Sequence, residues 1–474
     1  MKNTILLILC LLGGLATNGQ QIQWAHKVIK YSSDLGGKQN NVKRILGKPD
    51  AFPQGGMSAN AWMPKDALKG REWVEVGFEH PQTVKQVAIF ENLNAGCVVK
   101  IGVDTGTGNY ETVWSRKVNY KTPTFKAVLP ADRNYYFKRK RRKIQEAPDV
   151  LNPGIENAIL DNAVSGVVAI RVEFNFALLP GSKQIDAIGI SEGEQPIMAS
   201  INSTVDLDNI TPAEVIPMDG LTPLDAVVSP DGSKLWVAME GEEKDLIYSC
   251  SKLANGKWSS PTLEKASLSA NDSFNYIAAH YPNFILKGGL TYHQGTGETG
   301  YEFLDANYQS KGLLKVAAFA NYDKSSSVTI TQDAKTLLMG VESDMTLGGH
   351  DLYFATQKED GTYSFLQNLG KSLNTAAEES SPFLLSDQRT LLFCSNGYSS
   401  YGDFDIYVSY RLDDTWKKWS EPINLGKQIN SIEGEDLPVY DEINERLYFI
   451  TIAEGKQVVK SIALPKAKLT VQRQ

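Results

Sequence analysis

Glu378-Glu379-Ser380-Ser381-Pro382, then Phe383-Leu384-Leu385, a turn at Ser386-Asp387-Gln388-Arg389 and a second apolar run at Leu391-Leu392-Phe393-Cys394 open the most regular stretch of this chain. A Gly/Ser/Tyr loop follows, and Asp403-Phe404-Asp405-Ile406-Tyr407-Val408-Ser409 alternates as a strand does. Asp413-Asp414-Thr415-Trp416 makes a polar turn into Trp419-Ser420-Glu421-Pro422-Ile423-Asn424-Leu425-Gly426. Four short strands with turn chemistry between them, in about fifty residues, are the pattern of one β-propeller blade.

Weaker copies flank residues 378–435. Residues 224–265 carry Ser229-Pro230-Asp231-Gly232, Leu235-Trp236-Val237-Ala238 and Asp245-Leu246-Ile247-Tyr248. Residues 274–319 are the most worn copy, with Tyr281-Pro282-Asn283 at the turn and Tyr301-Glu302-Phe303 as the third strand. Residues 325–373 carry Thr331-Gln332-Asp333, Leu337-Leu338-Met339 and Asp351-Leu352-Tyr353. Residues 435–464 make a fifth copy that stops before an outer strand. Ala213-Glu214-Val215-Ile216-Pro217-Met218 resembles Glu421-Pro422-Ile423-Asn424-Leu425, so residues 212–218 are expected to supply that strand and close a ring of five blades.

The chain has 474 residues, 42% hydrophobic and 22% charged, too long for one core. A net charge of −7 disfavours a nucleic-acid partner, and the basic run Lys138-Arg139-Lys140-Arg141-Arg142-Lys143 reads as a solvated loop, or else as a contact for anionic polymer or lipid headgroups. Lys2 followed by an apolar run to Leu15 reads as a signal peptide over residues 1–19, with Cys10 placed unlike a lipid-attachment cysteine. No later stretch suits a transmembrane helix, so the expectation is an exported chain in the periplasm or at the outer membrane. Cys97, Cys250 and Cys394 are expected as unpaired, buried residues.

Residues 20–192 read as short strands between Gly/Pro/Asn turns, including Trp73 to Phe78, Val84 to Phe90, Val98 to Val103 and Val167 to Phe174. Helical periodicity is limited to a turn near Val42 to Leu46. The expected fold class is all-β: a jelly-roll β-sandwich, a linker over residues 193–210, a five-bladed β-propeller over residues 211–466 and a short tail, residues 467–474.

Two resemblances sharpen this. Asn40-Asn41-Val42-Lys43-Arg44-Ile45-Leu46-Gly47-Lys48-Pro49-Asp50, Ala61-Trp62, Ala169-Ile170-Arg171-Val172 and Ile185-Asp186-Ala187-Ile188-Gly189-Ile190 resemble the galactose-binding-like, discoidin-type jelly roll. That resemblance implies a glycan or other surface ligand at loops such as residues 51–60, with Trp62 able to stack on a sugar, or else serving the core. Ser229-Pro230-Asp231-Gly232-Ser233-Lys234-Leu235-Trp236 and Tyr401-Gly402-Asp403-Phe404-Asp405-Ile406-Tyr407 resemble the PD40, WD40-like or TolB-type propellers, in the version common in Bacteroidetes envelope proteins. That group includes OmpA-family and type IX secretion-associated members; residues 467–474 carry no OmpA-like pattern, so peptidoglycan binding is not carried over, and either a shorter relative or a fragment is expected.

The recurring Asp245, Asp351 and Asp405, with Glu302 in the worn copy, and the turn residues Asp231, Asp333, Asp387 and Asp441 are expected to accept backbone N–H bonds. Asp225, Asn275, Ser327, Glu379 and Asp436 are expected to start the inner strands, at one mouth of the channel. Asp225, Glu379 and Asp436 are the candidate ligand-binding carboxylates, since glycoside hydrolysis needs at least two. The five histidines have no metal-ligand spacing, and neither cofactor nor metal is expected. The sequence reading is a non-catalytic, exported envelope scaffold that binds protein partners and carbohydrate. Its alternative is a carbohydrate-active propeller enzyme with a binding module.

Overall fold

The computed structural model describes residues 21–125 and 152–470, apart from 204, 206, 208, 293, 294 and 324. The expected leader and the basic run 138–143 lie outside the described residues.

The N-terminal strands form one antiparallel seven-stranded sheet rather than two separately paired ones. Trp73 to Phe78 and Val84 to Phe90 prove to be parts of a single strand, Arg71–Glu91, paired along its length with Gly154–Asn175. The register shifts between Gly77 and Gln86, where Pro81 lies outside the paired positions. A bulge tolerates proline because no ladder donor is needed there, and the extra residues bend the strand. The halves on either side of the bend then face one another. Val74, Val76, Ile170 and Val172 from one half share a core with Val87, Ile89, Ile188 and Ile190 from the other. The expected helical turn is a 3-10 turn, Val42–Ile45, whose N-cap Asn41 accepts the N–H of Lys43.

The C-terminal part is a five-bladed β-propeller of five four-stranded antiparallel sheets. Blade one is Pro223–Val228, Lys234–Met239, Leu246–Ser251 and Thr262–Leu263. Blade two is Tyr276–Tyr281, Phe284–Gly288, Glu298–Leu304 and Ser310–Lys315. Blade three is Ser327–Ile330, Thr336–Val341, Asp351–Thr356 and Gln367–Asn368. Blade four, the stretch that reads most clearly in sequence, is Glu379–Leu384, Thr390–Ser395, Asp405–Tyr410 and Ile423–Asn424. Inner and second strands bury residues on both faces because neighbouring blades pack on each side. Leu337, Leu338 and Met339 are all inaccessible, as are Leu391, Leu392 and Phe393.

Blade five takes Asp436–Asp441, Arg446–Ala453 and Lys456–Ala463 from the C-terminus, and Glu214–Ile216 from the chain before blade one. Ile216 pairs with Val459, Val215 with Lys460 and Glu214 with Ser461, all antiparallel. An ion pair between Arg446 and Glu214 ties the same strand to its blade. The ring therefore closes as the sequence suggests. Cys97, Cys250 and Cys394 are free and buried, and no helix among the described residues is long and apolar enough to cross a membrane.

Ile216 is 4% exposed against the blade core, whereas its neighbour Val215 is 48% exposed. Ile216→Ala should lower unfolding free energy by about 2–4 kcal/mol. Val215→Ala should stay within about 0.5 kcal/mol. Urea denaturation of both variants checks the closing strand, and equal effects would contradict it.

Candidate functional site

Repeated polar side chains hold the blade ends that frame one mouth of the channel. In blade four, Asp405 opens the third strand, and its Oδ2 accepts Tyr401 N–H (2.7 Å) and Asn424 Nδ2 (2.6 Å). Asp351 does the same in blade three with Leu347 N–H (2.8 Å) and Asn368 Nδ2 (2.6 Å). Burial pushes Asp405 up to about 7, against the pull of those hydrogen bonds. Asn430 then pairs with the backbone of Ile406 as a strand would, accepting its N–H (2.8 Å) and donating to its carbonyl (3.0 Å). Asn374 repeats this on Leu352 at 2.8 and 2.9 Å. Sequence reading found the aspartates and missed the asparagines. Their signal is the repeat Asn368-Leu369-Gly370-Lys371-Ser372-Leu373-Asn374 against Asn424-Leu425-Gly426-Lys427-Gln428-Ile429-Asn430.

Glu302 does not belong to this set. It sits within the third strand of blade two opposite Lys287 and forms a buried ion pair with it at 3.1 Å. The turn aspartates act locally as expected: Asp387 Oδ1 takes the N–H groups of Arg389 and Thr390, both at 2.8 Å.

The three candidate carboxylates occupy different environments. Asp225 lines a cavity of about 810 Å³ that follows the inner strands. Glu379 is wholly buried, away from that cavity's lining. Its carboxylate accepts Thr375 N–H (2.7 Å), Thr375 Oγ1 (2.8 Å) and Ser395 Oγ (2.7 Å). Burial raises it to about 8 against those three bonds. Its counterpart in blade five is Glu435, not Asp436. Ser431 N–H and Oγ and Thr451 Oγ1 bond Glu435 as Thr375 and Ser395 bond Glu379. The sequence alignment was therefore one residue out of register. Both strands carry a bulge there, with Ser381 and Leu437 in the left-handed region (φ 51° and 53°) ahead of Pro382 and Pro438. Asp436 turns instead toward blade four and accepts Ser381 Oγ–H at 2.6 Å.

Trp62, the fourth candidate, is a core residue. It is inaccessible, meets Phe174 edge-to-face at 6.0 Å and donates from Nε1 to the Ser33 carbonyl at 3.3 Å. The loop before it meets the propeller rather than open solvent. Asn60, also buried, donates to Gly397 O (2.7 Å) and accepts Ala376 N–H (2.8 Å). Gln54 bonds Ser400 and Gly402, and Ser399 Oγ donates to Pro49 O at 2.8 Å. The loops that the jelly-roll resemblance assigned to a ligand are thus occupied in part by blades three and four.

Carboxylates gather at this junction. Asp186 accepts the N–H groups of Asp50 (3.3 Å) and Ala51 (3.1 Å). Burial raises Asp186 to about 7 and Asp50 well above the usual carboxylate range, Asp50 further through its Asp186 neighbour. Arg44 lies in electrostatic reach of Asp50, Glu379 and Asp351, so one guanidinium faces carboxylates from both parts of the chain.

A family model described as Pappalysin-1, SD scarf domain, C-terminal, matches residues 14–128. No curated protein matches the chain. Among solved structures, the chain is similar to an endo-arabinase from Bacteroides thetaiotaomicron VPI-5482, at 16% identity and TM-score 0.35, covering 53% of this chain and 96% of that one. It is similar to TolB from Acinetobacter baumannii at 13% identity and TM-score 0.32, covering 51% and 54%. It is also similar to an alpha-L-arabinofuranosidase from Lactobacillus brevis at 12% identity and TM-score 0.32, covering 52% and 92%. The expectation of a chain without enzymatic activity is corrected at this point. The similar structures are named mostly as glycoside-cleaving enzymes, and a propeller fold by itself decides neither for binding nor for catalysis.

Two outcomes follow from this geometry. Asn60→Ala removes two buried bonds between the N-terminal sheet and the propeller and should cost about 1–3 kcal/mol. Small-angle scattering should show a larger radius of gyration, and an unchanged radius would contradict a latch. Glu379 is raised from its ordinary 4.5 to about 8, so its contribution to stability is complete below pH 4.5 and is lost as pH rises through about 8. Denaturation midpoints between pH 5 and 9 should fall less steeply in Glu379→Gln than in wild type.

Proposed function

We propose that the chain is an exported binding protein of the cell envelope that holds an extended segment of a protein partner in its propeller channel. The observation that carries this reading is the channel cavity of about 810 Å³ and the end at which it opens. The N-terminal loops contact residues 376 and 397–402, which flank the start of the blade-four inner strand. Pro230, Asn283, Gln332, Gln388 and Ile443 line the cavity from the opposite ends of the inner strands. Among the described residues, the N-terminal loops bond at the other mouth and not at this one.

The lining favours a slender partner. Val227, Val328, Phe383 and Val439 supply apolar wall, and Ser327, Thr329 and Ser381 interleave hydroxyls. Asp225, Asp333 and Asp441 line the cavity, with no lysine or arginine among the described lining residues, which favours a neutral or basic segment over an acidic one. His280 faces the cavity but is engaged, accepting Trp236 Nε1–H at 3.0 Å, and burial lowers its pKa. The leader-like N-terminus supports the envelope setting, as does the resemblance of residues 401–407 to envelope propellers. An association with outer-membrane or type IX secretion machinery belongs to the same proposal.

Ala279 lines the cavity from blade two, so Ala279→Trp should obstruct it while leaving the blade hydrogen bonds in place. Crosslinking pull-down from native envelopes should recover a partner with wild type and at least tenfold less with the variant. Equal recovery would refute the channel as the binding site. Release of reducing ends from a polysaccharide panel by wild type, abolished in the variant, would assign the channel to glycoside cleavage instead.

A further inference from the structure

An amine, a carboxylate and a carboxamide meet inside blade two. Lys287 lies in the second strand, Phe284–Gly288, with Glu302 opposite it in the third, Glu298–Leu304. Lys287 is 2% exposed, and its Nζ stands 3.1 Å from Glu302 Oε1. The third member, Asn271, comes from the loop ahead of the inner strand Tyr276–Tyr281, and its Oδ1 stands 3.5 Å from the same Nζ. None of the three lines the channel cavity.

The loop holds that carboxamide in place. Asn275, wholly buried, accepts Asn271 N–H at 2.9 Å and donates to Asn271 O at 3.0 Å. Asn271 Nδ2 donates to Phe274 O (3.1 Å) and to Gly288 O (3.3 Å), the residue after Lys287. Gly289, at φ 97°, permits this approach, since a Cβ there would stand 2.0 Å from Phe274 O and 3.2 Å from Asn271 Nδ2. An amine fixed beside a carboxamide in an enclosed site reacts as if at very high concentration. Glu302 is within reach to move the protons that such a reaction requires.

We propose that Lys287 and Asn271 join in an intramolecular isopeptide bond, with Glu302 as the proton carrier. Glu302 takes a proton from the Lys287 ammonium, and the freed lone pair on Nζ attacks Asn271 Cγ as the carbonyl π pair moves onto Oδ1. Glu302 passes its proton to Nδ2 and takes another from Nζ. The carbonyl then re-forms, the Cγ–Nδ2 bond breaks, and its electron pair leaves on ammonia, which takes the last proton from Glu302. Of three protons on the ammonium and two on the carboxamide, one stays on the new amide and four leave as ammonium. Glu302 ends ionised as it began, and nothing is oxidised or reduced. The bond ties the loop before the inner strand to the second strand, in the blade whose repeat is most worn.

Tryptic mapping of the full chain, purified folded and then denatured, tests this by mass spectrometry. Trypsin cuts after a free lysine, so an unlinked Lys287 gives separate peptides 266–287 and 288–311. Wild type should instead give one peptide, 266–311, lighter by one ammonia, with no backbone fragments that separate residues 271 and 287. Asn271→Ala, which keeps the Lys287–Glu302 ion pair, and Glu302→Gln should each restore cleavage after Lys287. Cleavage there in wild type, or a lighter uncut peptide in Asn271→Ala, would overturn the bond. Ammonia loss with cleavage intact would mark ring closure of Asn271 on its own backbone and would equally overturn it. A linked peptide in Glu302→Gln would overturn the role given to Glu302.

Discussion

The antiparallel pairing of Glu214–Ile216 with Val459–Ser461 is the constraint on which the propeller depends. A blade cannot bury both faces alone, and an open ring would leave two blade flanks and a bare strand edge in water. Borrowing the last outer strand from the chain ahead of blade one joins the two ends of the ring in one ladder. Inner strands are thereby held around a common axis, and the channel is a consequence of that closure. Ile216 packs in the same core as Leu235, Trp236 and Val459, so closure is secured by burial as well as by hydrogen bonds.

Within that ring, a small set of buried polar groups determines how the loops of one face are shaped. Asp351 and Asp405 anchor the loops before the third strands, while Asn374 and Asn430 extend the ladders where the fourth strands have ended. Glu379 and Glu435 fasten the start of the inner strands to the preceding loops. Each accepts several hydrogen bonds in place of water, which is the condition for burying a carboxylate. The N-terminal sheet rests on the face so shaped. Asn60 contributes a donor and an acceptor to two adjacent loops, a complementary fit that a misplaced loop could not offer.

Propeller architecture was legible because its signals are local. Apolar runs separated by Ser-Pro-Asp-Gly or Ser-Asp-Gln-Arg turns repeat whatever the blade packs against, and the unpaired character of residues 213–218 showed through likeness to residues 421–425. A bulge hid one element: the long N-terminal strand reads as two, since the shift around Pro81 looks like a turn until its pairing is known. The match of Glu379 to Asp436 has no such excuse, because Glu379-Ser380-Ser381-Pro382 and Glu435-Asp436-Leu437-Pro438 correspond without a gap and carry the same bulge.

Sequence by itself determined the all-β class, the blade period, the donated closing strand and the structural work of Asp351 and Asp405, because each shows in a short pattern that recurs from blade to blade. Only the tertiary structure decided which polar groups meet. Trp62 suits a core, or else a sugar face, and its contact with Phe174 assigns it to the core. Asp225 lines an open cavity while Glu379 is enclosed, although both lie near the start of an inner strand. Gln39, Asp50 and Gln54 meet Glu378, Asn396 and Asp403 across more than three hundred residues of chain. Docking of two surfaces creates that juxtaposition, and no periodicity in the sequence encodes it.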